Sequence, residues 1–312
     1  MKNKKKKKRW DSFGSAMAAV IPLIGFLIFG TIPLTLALVV SMTELHSADL
    51  SEMVFVGLDN FKTILTNGDK RTYASYLSTI VYALNAPISI ALSLFIANLI
   101  IKAKRTGKFF SIVFFIPYVC SVYAVGMIFK NMYQGEAGVF NSILASFGFV
   151  KIGWLTDSVT SYFVSIIIMT VWKGLSFCIV LYMAALSNVD QSYYEAAKID
   201  GASSAQIFWK ITWPAITPTT SYLVTMKIIW ALQAMAETHV MAQGSMTVPR
   251  WPNSEGWVSD LVVKHIYNMV FVNPYQHGYG LAAAAGWILA ILVFIITGIN
   301  LRLQKRWVNY DF

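Results

Sequence analysis

The stretch Tyr194–Pro214, YEAAKIDGASSAQIFWKITWP, is a short polar island between two long apolar runs. It is charged, and it is punctuated by Gly201 and Pro214. Two capping-box patterns flank the glycine, Ser192 with Glu195 and Ser203 with Gln206. Gly201 suits a left-handed helix end. Pro214 is expected to stop the second helix. The pattern predicts two short helices, the first of about eight residues and roughly 12 Å. So short a helix is marginal alone in water. Ala196, Ala197 and Ala202 leave room for a close neighbour, and Glu195 and Asp200 leave the segment with little net charge. From the residues alone, a docking helix and a plain capped loop fit equally.

The runs on either side decide the class. The chain has 312 residues, 56% hydrophobic and 13% charged, with a mean hydropathy of +0.58. Soluble domains run nearer a quarter charged. A bilayer core of ~30 Å needs ~20 apolar residues in a helix. Six segments meet this: Ala16 to Ser41, Tyr76 to Ile101, Phe109 to Tyr133, Tyr162 to Leu186, Thr219 to Met241 and Leu281 to Leu303. The expected fold is an all-α polytopic membrane protein with six transmembrane helices. Residues 1–15 form a basic tail and residues 16–312 a single domain, with the polar loop at about 188–217 between helices 4 and 5. The first segment follows MKNKKKKKRW but is too long for the 7–15 residue core of a signal peptide, so it is expected to remain as an anchor.

Basic residues set the orientation. With the N-terminus cytosolic, the inner side holds Lys2, Lys4 to Lys8, Arg9, Lys102, Lys104, Arg105, Lys108, Lys198, Lys210, Arg302, Lys305 and Arg306. The outer side holds Lys62, Lys70, Arg71, Lys151, Arg250 and Lys264, with Lys130 near a boundary. Both termini, and the polar loop, are therefore expected in the cytosol. The net charge of +10 lies at the edges of apolar runs, which excludes the basic face of a nucleic-acid binder.

Enzyme chemistry finds no footing. Cys120 and Cys178 lie within apolar runs and read as small hydrophobes. His46, His239, His265 and His277 have no metal spacing. No G-x-x-x-x-G-K-[ST] phosphate loop is present, since Phe109 follows Lys108 where a hydroxyl is needed. Polar groups at membrane depth are the functional candidates, because hydrocarbon tolerates them poorly. These are Lys173 in the fourth segment, and Lys227, Trp230, Gln233 and Glu237 in the fifth. Steps of three, three and four place the latter four on one helical face. That face lines either a cavity or a subunit interface. Aromatic rings and amides suit sugars, which stack on the former and bond the latter.

EAAKIDGASSAQIFWKITWP resembles the EAA loop of membrane subunits of bacterial ABC importers. Glu195, Ala196, Ala197, Gly201, Ile211 and Pro214 match that pattern, and Trp213 replaces its usual leucine. GLDNFK (57–62), FFIPYVCSVYAVGMIFK (114–130), VWKGLSF (171–177) and YGLAAAAGWILA (279–290) resemble the carbohydrate branch. MAQGSMTVPRWPNSEG (241–256) departs from it, lacking the usual Gly-Gly-Pro turn.

The resemblance implies a permease subunit that imports a sugar or oligosaccharide across the bacterial cell membrane. Its partners would be a second related permease, two ATPase subunits and an extracellular solute-binding protein, with lipid around it. ATP and magnesium would be used by the ATPases, with no cofactor on this chain. It implies that Glu195, Ala196, Ala197, Asp200, Gly201, Ala202 and Ser203 dock on an ATPase as a coupling helix. By similarity to the larger membrane subunit of the maltose importer family, Gly174, Phe177, Trp230 and Gln233 would lie at the sugar. Lys173 and Glu237 are added from their depth alone. A stand-alone secondary transporter, expected to show broken helices, and a permease for a non-sugar solute such as a glycerophosphodiester or peptide are the rivals.

Overall fold

The computed structural model describes residues 17–309, apart from 19, 48, 67–68, 104–105, 136, 244–247, 253 and 274–277. The basic tail, Lys104, Arg105, His277 and part of the departing stretch 241–256 lie outside the described residues. Contacts divide the chain into two units, residues up to 66 with 268–287, and residues 67–267 with 288–312.

The first unit begins with α1 (Val20–Ser41), whose apolar window has no buried residue. Such a surface belongs in lipid rather than in a core. A two-stranded antiparallel ribbon follows, β1 (Thr43–Glu44) and β2 (Val54–Phe55), with Thr43 opposite Phe55. Then comes α2 (Asp59–Leu65). Asn60 donates to the carbonyls of Ser41 (3.0 Å) and Thr43 (2.8 Å). These bonds satisfy backbone groups that the end of α1 leaves open.

The second unit is helical: α3 (Lys70–Tyr82), α4 (Asn85–Lys102), α5 (Gly107–Val119), α6 (Val122–Met132), α7 (Val139–Ser146) and α8 (Val159–Ser187). The short α9 (Gln191–Ile199) and α10 (Ser204–Ile207) come next, then α11 (Trp213–Leu232), α12 (Ala236–Ala242) and α13 (Val262–Tyr267). The last helix, α14 (Tyr279–Gln304), begins in the first unit and ends in the second. α8 packs against α4, α5 and α11, and buries Tyr162, Ile166, Met169, Ile179 and Tyr182. Ser89, Ser93 and Ala97 form a buried small-residue row on α4, and Ser93 donates to the Leu175 carbonyl of α8 (3.3 Å). Small residues let membrane helices approach closely. Near its end α14 is tied to α11, with Gln304 donating to Thr225 (2.8 Å) and Asn300 to the same hydroxyl (2.8 Å).

Among the described residues, four helices are long and apolar enough to cross a bilayer: Val20–Ser41, Lys70–Lys102, Val159–Ser187 and Tyr279–Gln304. The pair α5 and α6, bent by 98°, brings this to five if it counts as one span. The third predicted segment, Phe109 to Tyr133, is therefore not one straight helix. Cys120 and Ser121 are extended (ψ 140° and 138°) just past Pro117. The fifth predicted segment, Thr219 to Met241, is broken too. α11 stops at Leu232, and α12 starts only after Met235, whose φ and ψ are −142° and −51°. Broken helices, taken above as a mark of the secondary-transporter rival, thus occur here.

Pro214 does not stop a helix. A π turn, Phe208–Thr212, carries the helix from α10 through it into α11. α1 has the same device, a π turn at Leu27–Thr31 just ahead of Pro33. Proline lacks an N–H and clashes with the carbonyl four residues back. A widened turn before it relieves both problems without ending the helix.

Candidate functional site

Two places gather the predicted residues. The first is the polar loop. α9 is capped by Asp190, not by Ser192: its carboxylate accepts from the Ser192 N–H (2.9 Å). That bond and the Ser192 hydroxyl hold the exposed Asp190 carboxyl below the usual carboxylate range. The predicted box of Ser192 and Glu195 does not form. Asp190 sits two residues earlier and takes the N–H first, while Gln191 bonds Glu195 (3.0 Å). The helix end is as expected. Gly201 has φ +73°, its N–H bonds the Lys198 carbonyl (3.1 Å), and the Ala202 N–H bonds the Ala197 carbonyl (2.9 Å). This pair of bonds is the Schellman closure. Ser203 and Gln206 form a reciprocal capping box.

α9 buries no residue. Tyr193 is 51% and Ile199 87% exposed, and Glu195, Ala196, Asp200 and Gly201 face outward as well. Tyr194 bonds Thr212 (3.2 Å) and so anchors the exposed helix at the base of α11. The helix is thus capped at both ends, with Tyr193 and Ile199 on its exposed surface.

The second place is a cavity of about 170 Å³ within the second unit. α8 contributes Thr170, Lys173, Gly174 and Phe177; α11 contributes Lys227, Trp230 and Ala231; α12 contributes Glu237. Tyr82, Asn85 and Tyr118 complete the lining. Phe177 and Trp230 meet edge to face (centroids 5.2 Å, 61°), and Tyr118 stacks on Phe177 (5.8 Å, 24°). Phe177 and Trp230 thus form one continuous aromatic wall with Tyr118.

Of the predicted residues, Gly174, Phe177, Lys173, Lys227, Trp230 and Glu237 converge here, but Gln233 does not. It is exposed at the end of α11. The stripe expected over Lys227, Trp230, Gln233 and Glu237 assumed one unbroken helix. The break at 233–235 turns Gln233 aside and brings Glu237 in on α12. Tyr118, Asn85, Tyr82 and Thr170 were missed. Asn85 carried a readable signal, as an amide inside an apolar run.

Lys173 has a task of its own. Its ammonium donates to the carbonyls of Cys120 (2.8 Å) and Pro117 (3.2 Å), at the C-terminal end of α5. A cation there satisfies orphan carbonyls and complements the helix dipole. Lys173→Met should destabilise the purified protein by about 1–3 kcal/mol, the cost of carbonyls left bare. A thermal melt checks this, and Lys173→Arg should keep most of the stability. Unchanged melting in Lys173→Met would detach Lys173 from the break. Among the described residues, no group of three or more His, Cys, Asp or Glu gathers as metal ligands do.

Residues 71–309 match the family model described as "Binding-protein-dependent transport system inner membrane component". The chain is 32% identical over 296 residues to the probable ABC transporter permease protein YesP of Bacillus subtilis, covering 93% of this chain and 89% of that one. It is 29% identical to the arabinooligosaccharides transport system permease protein AraP of the same organism, over 90% of this chain and 85% of the relative. A chain of the crystallised bacterial alginate ABC transporter, in complex with an alginate pentasaccharide-bound periplasmic protein, superposes with a TM-score of 0.78. The match is 21% identical and covers 97% of this chain and 96% of that one, a likeness of fold.

Proposed function

This chain belongs to the family of binding-protein-dependent transport system inner membrane components, and from that premise we propose that it is a multi-pass permease subunit of an ATP-driven importer for a sugar or oligosaccharide in the bacterial cell membrane. It works with a second, related permease, two ATPase subunits that use ATP and magnesium, and an extracellular solute-binding protein. Six crossings, with the broken pairs α5–α6 and α11–α12 in two of them, leave both termini and α9 in the cytosol. α9 is the coupling helix. Glu195, Ala196, Ala197, Asp200, Gly201, Ala202 and Ser203 meet a cleft of the ATPase. Phe177 and Trp230 offer a sugar ring an aromatic face, beside Gly174. The broken helices favour the importer as much as the secondary transporter, because an alternating cavity needs movable helix ends in either machine.

The observation that carries this reading is α9, a helix capped at both ends yet without a buried residue. The test is uptake of labelled oligosaccharides by proteoliposomes holding the full importer. ATP-driven, binding-protein-dependent uptake is expected. Uptake by this chain alone, driven by a proton or sodium gradient, would refute it.

A further inference from the structure

We infer that the sugar received by this cavity is acidic, with Lys227 as the seat of its carboxylate. The inference rests on the sugar-permease reading and narrows its substrate class. Lys227 is 7% exposed and lies in the last third of α11. Its ammonium is packed against Gly174, where a Cβ would fall on the Lys227 Nζ. Gly174 is therefore what gives the ammonium its place at the cavity wall. Among the described residues no carboxylate pairs with it; the ion pairs there are His46 with Glu44, Arg71 with Glu255, and Lys264 with Asp260. A buried charge is stable only when something of opposite sign, or a full set of hydrogen bonds, repays its lost hydration.

The other charges of the lining do not remove the need. Lys173 is occupied by the carbonyls of Pro117 and Cys120. Glu237 lines the same cavity and acts on Lys227 through its field, without pairing. Counted formally, two lysines against one glutamate give the lining one positive charge in excess. One carboxylate per bound ring cancels it. The wall of Tyr118, Phe177 and Trp230 takes the apolar face of the same ring. A neutral sugar offers the ammonium only hydroxyl dipoles, whereas a carboxylate brings the opposite charge as well as the hydrogen bond and so repays the buried charge.

The experiment titrates three probes, digalacturonate, galactobiose and sn-glycerol 3-phosphate, into the complete importer without its binding protein, so that the cavity alone selects. Digalacturonate is expected to bind at least about tenfold tighter than galactobiose, the scale of the weaker close pairs of opposite charge. Lys227→Met should erase that preference by weakening digalacturonate, and Lys227→Arg should retain it. The wild-type preference stands as a readout even where a variant fails to fold. Equal binding of the two disaccharides, or a preference that survives Lys227→Met, overturns the inference and leaves the sugar reading intact. Tightest binding of sn-glycerol 3-phosphate, or binding of neither disaccharide, overturns both.

Discussion

Gly201→Asp is expected to abolish import while leaving the protein in the membrane at normal level. The glycine is at φ +73°, and a Cβ placed there meets nothing within 4 Å. The substitution therefore clashes with no part of this chain. Its internal cost is the left-handed backbone, roughly 1 kcal/mol for a non-glycine residue, and aspartate is among the residues that tolerate it best. A penalty of that size shifts an equilibrium only about fivefold. It frays the end of α9 without unfolding the domain. The second cost falls on the docking contact. A new carboxylate beside Asp200, pressed into a partner without a matching cation, costs about 3–5 kcal/mol, or a loss of roughly a hundredfold to a few thousandfold. Gly201→Ala separates the two costs, because it carries the strain and no charge. It should keep a substantial fraction of uptake, and its ATPase should still co-purify. Gly201→Asp should lose both. Normal uptake and normal ATPase recovery in Gly201→Asp would place this helix end outside the coupling contact.

Gly201 shows what kind of feature is readable in advance. Its role depends on its own backbone and on the carbonyls of Lys198 and Ala197, three and four positions back, so local pattern suffices. The capping box at Ser203 is of the same kind. The apolar segments were legible because hydrocarbon imposes a length and a composition. The breaks within them were not. The bend after Pro117 is held by Lys173, which reaches from α8 to carbonyls 56 and 53 residues away in sequence. Nothing local announces that partner. Pro214 misled in the opposite direction, because a π turn upstream absorbs it. The competition at the start of α9 went to Asp190, since two adequate caps lay two residues apart and only one N–H set was available.

The cavity was legible in proportion to helix continuity. Gly174 and Phe177 are three residues apart on the unbroken α8, and both line it. Trp230 lies on α11 before the break and lines the cavity; Gln233, three residues on, caps the end of that helix and does not. Glu237 enters for a reason that the 3.6-residue period did not supply. It sits in the first turn of a new helix, where a carboxylate is favoured by the dipole. The stretches GLDNFK and YGLAAAAG were noted only for their resemblance, yet in the first unit Asn60 and Gly280 meet at the same Thr43 carbonyl.

That meeting makes Gly280→Val the substitution expected to damage the fold most. α14 starts at Tyr279, whose N–H bonds the Leu45 carbonyl (2.6 Å). One residue on, a Cβ at Gly280 would fall on the Thr43 carbonyl oxygen, the same oxygen that Asn60 holds at 2.8 Å. The obstacle is backbone, so no side-chain rotation can clear it. Either the start of α14 or the ribbon carrying Thr43 must shift. Overpacking of this kind costs about 1–3 kcal/mol and occasionally more. A shift also endangers the Tyr279 bond and the two Asn60 bonds, each worth about 1 kcal/mol. The sum, about 4–6 kcal/mol, approaches the whole stability of a typical domain, ~5–15 kcal/mol. Gly280→Val should therefore melt far below wild type and accumulate poorly in the membrane. Gly298→Ala is the control on the same helix. A Cβ there meets nothing within 4 Å, and alanine is favoured over glycine in a helix by about 0.5–1 kcal/mol. It should melt at or slightly above wild type. Equal melting of Gly280→Val and wild type would mean that α14 and the ribbon do not meet as closely as the Thr43 contact requires.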